Sequence, residues 1–232
     1  MVWLFKVCNF LLFLIFTKNI KLCTTIKPTF VRDGELVSKS NFPYQVFIYS
    51  TADKEKDQFC GGSILNNSFV VTAANCYLGA DWTHYVFAGE FNLTLQINSI
   101  KSNTFEHEIG KSIFLVDKFI VHNGWNESSL THDIALIKIQ GKFWAGEFTT
   151  SITPIGIIDH EVRGNTIFNV SGWGYTEGDS GGPAAVNGKL AGIASVVSML
   201  YVDGVVICIP GGINLYSDAY FYRNWILYND AF

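Results

Sequence analysis

The chain has 232 residues, of which 49% are hydrophobic and 15% aromatic, and its formal net charge is −4. That composition excludes an intrinsically disordered chain and supplies enough apolar surface for one domain or two small barrels. The acidic balance argues against nucleic acid and anionic membrane surfaces as partners.

The N-terminal stretch carries Lys6 followed by an apolar run over residues 10–16. This run is too short to span a bilayer but has the proportions of the h-region of a secretory signal. Residues 1–25 are therefore read as a signal peptide, and residues 26–232 as an extracellular domain. Cleavage there would remove Lys6, Lys18 and Lys21 and no acid, leaving a more acidic remainder. Cys8 and Cys23 lie in or beside the signal, so Cys60, Cys76 and Cys208 are left, an odd set in a secreted chain. Sequons at Asn66, Asn92, Asn126 and Asn169 fit the same route and predict a glycoprotein.

The next stretch consists of short apolar runs, over 44–49, 69–73, 83–88, 134–139 and 167–170, separated by Gly, Asn, Asp and Ser. That rhythm predicts an all-β barrel or sandwich and not a parallel α/β sheet. The charged patch at 53–57 reads as a solvated hairpin loop. Cys60 and Cys76 flank one apolar run, 16 positions apart, and are expected to form a disulfide. Closing a loop of that size removes about 3 kcal/mol of unfolded-state entropy. Near the C-terminus Ala219, Tyr222, Trp225, Ile226 and Tyr228 fall at helical spacing and predict a short helix.

The stretch most suggestive of chemistry is Gly178-Asp179-Ser180-Gly181-Gly182-Pro183. A serine set among glycines suits a tight exposed turn in which a hydroxyl and neighbouring N–H groups face one point. A nucleophile of this kind requires a base to take its proton and an acid to orient that base.

Several further motifs occur in order along the chain. They are Phe42-Pro43-Tyr44-Gln45-Val46, Cys60-Gly61-Gly62-Ser63-Ile64-Leu65, Val71-Thr72-Ala73-Ala74-Asn75-Cys76, His132-Asp133-Ile134-Ala135-Leu136-Ile137, Val170-Ser171-Gly172-Trp173-Gly174 and the tail Tyr222-Arg223-Asn224-Trp225-Ile226. With the Ser180 stretch they resemble the trypsin/chymotrypsin-like serine proteases, including the arthropod and mite homologues that have lost activity. The resemblance implies two six-stranded antiparallel barrels, the first over about 44–140 and the second over about 141–232, with the site between them and a short C-terminal helix. It implies that Ser180 is the nucleophile, that the N–H groups of Gly178 and Ser180 form the oxyanion hole, and that Asp133 is the buried acid. The family's base would fall at Asn75, whose amide is not basic. In subtilisin-type triads, loss of the histidine costs about 10⁶-fold in kcat. No other histidine is expected to substitute. An extended segment would turn His132 away from Asp133, and His84, His107, His122 and His160 read as surface or loop residues.

The chain departs from the family pattern elsewhere. Only Tyr175, Thr176 and Glu177 separate Gly174 from Gly178, where the family carries some forty to fifty residues, so the second barrel is expected to be incomplete. The missing half-cystine would leave Cys208 unpaired. Ser195, Val196 and Val197 stand on one wall of the implied substrate pocket and Asn214 on the other, with Val197 and Asn214 where glycine is usual. No basic residue directly precedes Val31, so Asp179 is expected to need a partner other than a newly released N-terminus, or an exposed position. The resemblance implies no cofactor and no metal. The reading that results is a secreted, inactive serine protease homologue acting on a protein partner, as a decoy or regulator of a proteolytic cascade. One alternative is an active endopeptidase hydrolysing peptide bonds, and another is a shortened or wrongly joined chain without function.

Overall fold

The computed structural model describes residues 2–6, 35–38, 40–52, 56–90, 93–173, 179–196, 199–202, 205–208 and 214–231. In chain order the strands are β1 (Val2–Lys6), β2 (Glu35–Val37), β3 (Gln45–Ala52), β4 (Lys56–Ile64), β5 (Phe69–Thr72), β6 (Thr83–Ala88), β7 (Ile113–Val121), β8 (Ala135–Ile139), β9 (Gly156–Ile157), β10 (Asn169–Val170), β11 (Pro183–Val186), β12 (Lys189–Val196), β13 (Met199–Val202), β14 (Val205–Cys208) and β15 (Leu215–Asp218). Two helices, α1 (Leu93–Lys101) and α2 (Arg223–Tyr228), accompany them. The mostly-β class expected from the apolar rhythm is the one observed.

Strands β3, β4, β5, β8, β7 and β6 close into a barrel in that order. Alternation explains its inside: Val46, Ile48, Val86 and Leu136 belong to one buried cluster with Ile64 and Phe114. The opposite face of β3 is also buried. Phe47 and Tyr49 pack with Phe87, Tyr85 and Trp173, and α1 supplies Leu93 and Ile100 to the same group. Phe47 meets Trp173 edge-on at 5.2 Å between ring centroids. β3 is thus shielded on both sides, by barrel core and by outer aromatic layer.

Cys60 and Cys76 are joined, as expected, and the bridge ties β4 to the short 3₁₀ turn Ala74–Cys76 that follows β5. Strands of the second half join β1 and β2 from the N-terminal part in an open seven-stranded sheet in the order β15, β12, β11, β10, β1, β2, with β9 pairing parallel to β12. β13 and β14 make a separate hairpin. Among the described residues there is no second closed barrel. The signal-peptide expectation falls largely on residues outside the described set, although β1 pairs with both β2 and β10.

Two local expectations need correction. The patch at 53–57 is not simply a solvated loop: residues 53–55 lie outside the described set, but Asp57 is on β4, with its carboxylate accepting from the Tyr49 hydroxyl at 2.7 Å and from Lys101 Nζ at 2.5 Å. The C-terminal helix is shorter than its spacing suggested, because Ala219 and Tyr222 lie in the turns before it and Tyr228 is 87% exposed. Helix α1 lies where the sequence reading named no element, and it turns Leu93, Ile97 and Ile100 inward.

Candidate functional site

The Ser180 stretch forms the tight turn that its glycines predict. The Gly182 N–H donates to the Asp179 carbonyl at 3.0 Å, and Gly181 adopts φ +82°, a conformation that favours glycine. Three backbone bonds anchor the turn to both halves of the molecule. Gly61 N–H donates to Ser180 O at 2.7 Å, Gly181 N–H to Ala194 O at 2.6 Å, and Ala194 N–H to Gly182 O at 2.9 Å. Asp179 finds a partner in the uncleaved chain, as its Oδ1 accepts the Trp173 N–H at 3.0 Å. Gly172 permits this approach, for a Cβ there would lie 2.5 Å from Oδ1.

Asp133 immediately precedes Ile134 at the entry to β8 and is 1% exposed. Its Oδ1 accepts from the Asn75 backbone N–H at 2.9 Å, while Oδ2 accepts from Asn75 Nδ2 at 2.9 Å and from Ser195 Oγ at 2.5 Å. Burial pushes the Asp133 carboxyl above the ordinary carboxylate range, and these donated bonds pull against that rise. Ser217 Oγ also donates to the Asp133 carbonyl at 2.6 Å, which ties β15 to the same point.

Asn75 sits in the 3₁₀ turn and reaches across to β12. Its amide nitrogen has two hydrogens, and both are engaged: one with Asp133 Oδ2, the other with Ser195 O at 3.1 Å. The Ser180 hydroxyl donates to the same Ser195 carbonyl at 3.3 Å. Its proton is therefore directed at a peptide oxygen and not at a basic nitrogen.

The structure thus brings Asn75, Asp133 and Ser180 together, with Ser195 at the centre of the group. Ser195 is buried, with its hydroxyl on Asp133. Val196 is half-buried opposite Leu215, and Asn214 is exposed just ahead of β15. Gly178 and Val197 lie outside the described residues, as does the junction from Gly174 to Gly178. Sequence reasoning missed the bonds from Ser195 and Ser217 to Asp133, whose partners are 62 and 84 positions apart. Nothing in the local sequence signals such a pairing.

The histidines are engaged away from Ser180 or lie on the surface. His132 is not extended; its φ is +55°, and its Nδ1 meets the Tyr222 hydroxyl at 3.0 Å. Its backbone is left-handed, so strand alternation does not set its direction. His84, expected at the surface, is 9% exposed on β6, with Nδ1 2.7 Å from Ser50 Oγ. Burial lowers its pKa. His107 is exposed, and His160 is exposed beside Asp159. Among the described residues no three His, Cys, Asp or Glu side chains gather as metal ligands.

Residues 31–177 match the protein-family model described as Trypsin. Trypsin epsilon of Drosophila erecta is 32% identical over 164 residues, covering 68% of this chain and 56% of that protein. Trypsin-1 of Astacus astacus is 30% identical over 141 residues, covering 58% and 53%. The chain spans about half the length of these curated relatives. Trypsin I-P1 of Gallus gallus aligns more broadly, at 26% identity over 83% of this chain and 86% of its own length. Among solved structures, neuropsin, a serine protease of mouse brain, superposes with a TM-score of 0.58 at 18% identity, covering 84% of this chain and 97% of its own. A structure titled GrC gives 0.59 at 20% identity with the same coverage. At such identities the structural likeness speaks for the fold alone.

Proposed function

The chain belongs to the trypsin family of serine proteases, and on that premise we propose that it is a secreted member that binds a protein partner without cleaving it. The observation that carries this reading is the Asn75 amide, which spends its two hydrogens on Asp133 Oδ2 and Ser195 O. A histidine at that position would accept the Ser180 proton and then share its positive charge with Asp133. An amide nitrogen does neither, because its lone pair is delocalised into the carbonyl. Ser180 keeps its hydroxyl, bonded to a peptide oxygen, and has no base for general-base catalysis.

The features that would favour binding remain. The Ser180 turn is anchored to both halves of the fold, and Asp179 is held on the Trp173 amide without any N-terminal cleavage. The family's substrates are proteins and peptides, so the partner proposed is a protein or peptide segment, engaged as a decoy or regulator of a proteolytic cascade. Secretion is proposed from the N-terminal sequence, whose apolar run over 10–16 lies outside the described residues. No helix among the described residues is long and apolar enough to cross a membrane.

The experiment is a comparison of the signal-free protein with its Ser180→Ala and Asn75→His variants on a panel of peptide esters. The parent is expected to hydrolyse none of them faster than Ser180→Ala. Asn75→His is expected to add nothing, because the altered pocket walls and the missing activation sequence remain. Turnover by the parent that disappears in Ser180→Ala would establish the active-endopeptidase reading instead.

A further inference from the structure

The loop that delivers Asp133 is closed at its base by two histidines. His122 follows β7, His132 precedes Asp133, and their rings stack at 4.7 Å between centroids with 9° between planes. His122 N–H donates to the Ile134 carbonyl at 3.1 Å, and the Ile134 N–H donates to the His132 carbonyl at 2.8 Å. Gly124 makes room, since a Cβ there would lie 2.8 Å from His132 Cδ2. The C-terminal segment caps the pair: Tyr222 lies edge-on to both rings, and Trp225 of α2 packs 5.1 Å from His122.

We propose that this stacked pair is an acid-opened clasp, which holds the C-terminal segment and the seating of Asp133 at neutral pH and releases them when His122 is protonated. The hydrogen bonds set the direction. His122 Nδ1 accepts the Gly124 N–H at 3.0 Å, so in the closed form any ring hydrogen of His122 is on Nε2. A further proton must go to Nδ1, where it confronts an N–H donor and the bond is lost. The imidazolium formed also faces the second imidazole at stacking distance. Two such charges would repel there.

The surrounding charges do not neutralise the pair. The nearest acid in sequence is Asp133, whose carboxylate is taken by Asn75 and Ser195. On the C-terminal side Asp218 is turned to the amides of Tyr220 and Phe221, at 2.8 and 3.3 Å. Arg223, which begins α2 beside Tyr222, brings a further positive charge to that element. Burial and the neighbouring His132 lower the His122 pKa, in keeping with a closed form that prefers the neutral ring. A histidine whose folded pKa is lowered contributes stability that is present above its unfolded pKa, about 6.5, and is lost as pH falls through the folded value. Opening would reach the site through two links, the peptide from His132 to Asp133 and the Ser217 hydroxyl on the Asp133 carbonyl.

Native-state amide exchange on the full chain tests the clasp without reference to Ser180 chemistry. Between about pH 7.5 and about pH 5, protection of the Ile134 and Ile226 amides is expected to fall about tenfold. Protection of Val86 in the barrel is expected to stay level over the same range. In His122→Phe, which keeps a ring in the stack without a titratable nitrogen, the fall at Ile134 and Ile226 is expected to be less than about twofold. His122→Gln provides the same test should the larger ring prevent folding. Unchanged protection in the parent, or an equal fall in the parent and the folded variant, would overturn the proposal.

Discussion

Replacing Gly181 by alanine is expected to destabilise the protein by more than about 3 kcal/mol, placing it among the most damaging single substitutions available. Two costs add. Gly181 has φ +82°, and an L residue held there loses about 1 kcal/mol or more. The added Cβ would also lie 2.1 Å from Thr72 Oγ1, 2.4 Å from the Gly61 carbonyl and 3.0 Å from the Ala73 nitrogen. Two of those atoms are backbone and the third is tied down, because Thr72 Oγ1 donates to Gly61 O at 2.8 Å. Relief would therefore require the Ser180 turn to separate from β4 and β5, breaking the Gly61 to Ser180 bond. Gly141→Ala is the control, with φ +80° and nothing within 4 Å of the added carbon. It should lose only the backbone cost of about 1 kcal/mol. Urea midpoints at unchanged m-value would measure both losses, and equal losses would refute the steric argument.

A second large effect is expected from Asn75→Asp, a change of one amide for one carboxylate. The side-chain nitrogen lies 2.9 Å from Asp133 Oδ2, and the substitution puts an oxygen in its place. Two carboxylates at that distance in a buried site cannot both ionise, so one of them binds a proton well above its ordinary pKa. The variant should be about 3 kcal/mol less stable than the parent at neutral pH. The sign of the pH dependence follows from the raised folded pKa. Such a carboxyl contributes most below its unfolded value, and its contribution is lost as pH rises, so the deficit should shrink to about half or less near pH 5. A deficit independent of pH would mean that the Asn75 amide does not face Asp133 as described.

The parts of the site that local sequence revealed are those carried by short motifs. Ala73-Ala74-Asn75-Cys76, His132-Asp133-Ile134 and the Ser180 stretch each hold one member, and the fold brings the three members together. The Cys60 to Cys76 bridge was readable because both cysteines border one strand run. Elsewhere tertiary contacts overruled the local pattern. β3 is buried on both faces, because Val46 and Ile48 fill the barrel while Phe47 and Tyr49 meet the layer that includes Trp173. Helix α1 covers that outer layer through Leu93, Ile97 and Ile100, a helical spacing that runs for barely two turns among the alternating Leu93, Leu95 and Ile97. His132 occupies a left-handed conformation that a period-two reading cannot anticipate. The bonds from Ser195 and Ser217 to Asp133 join strands far apart in the chain, and only the closed arrangement of barrel and sheet brings them within reach.

The reactivity of Ser180 toward a fluorophosphonate addresses the central claim most directly, since that reagent requires an activated serine and no particular substrate pocket. With the Asn75 amide donating to Asp133 and Ser195, and the Ser180 hydroxyl bonded to a peptide carbonyl, the signal-free protein is expected to remain unlabelled under conditions that label an active trypsin completely. Stoichiometric labelling that is abolished by Ser180→Ala would contradict the account.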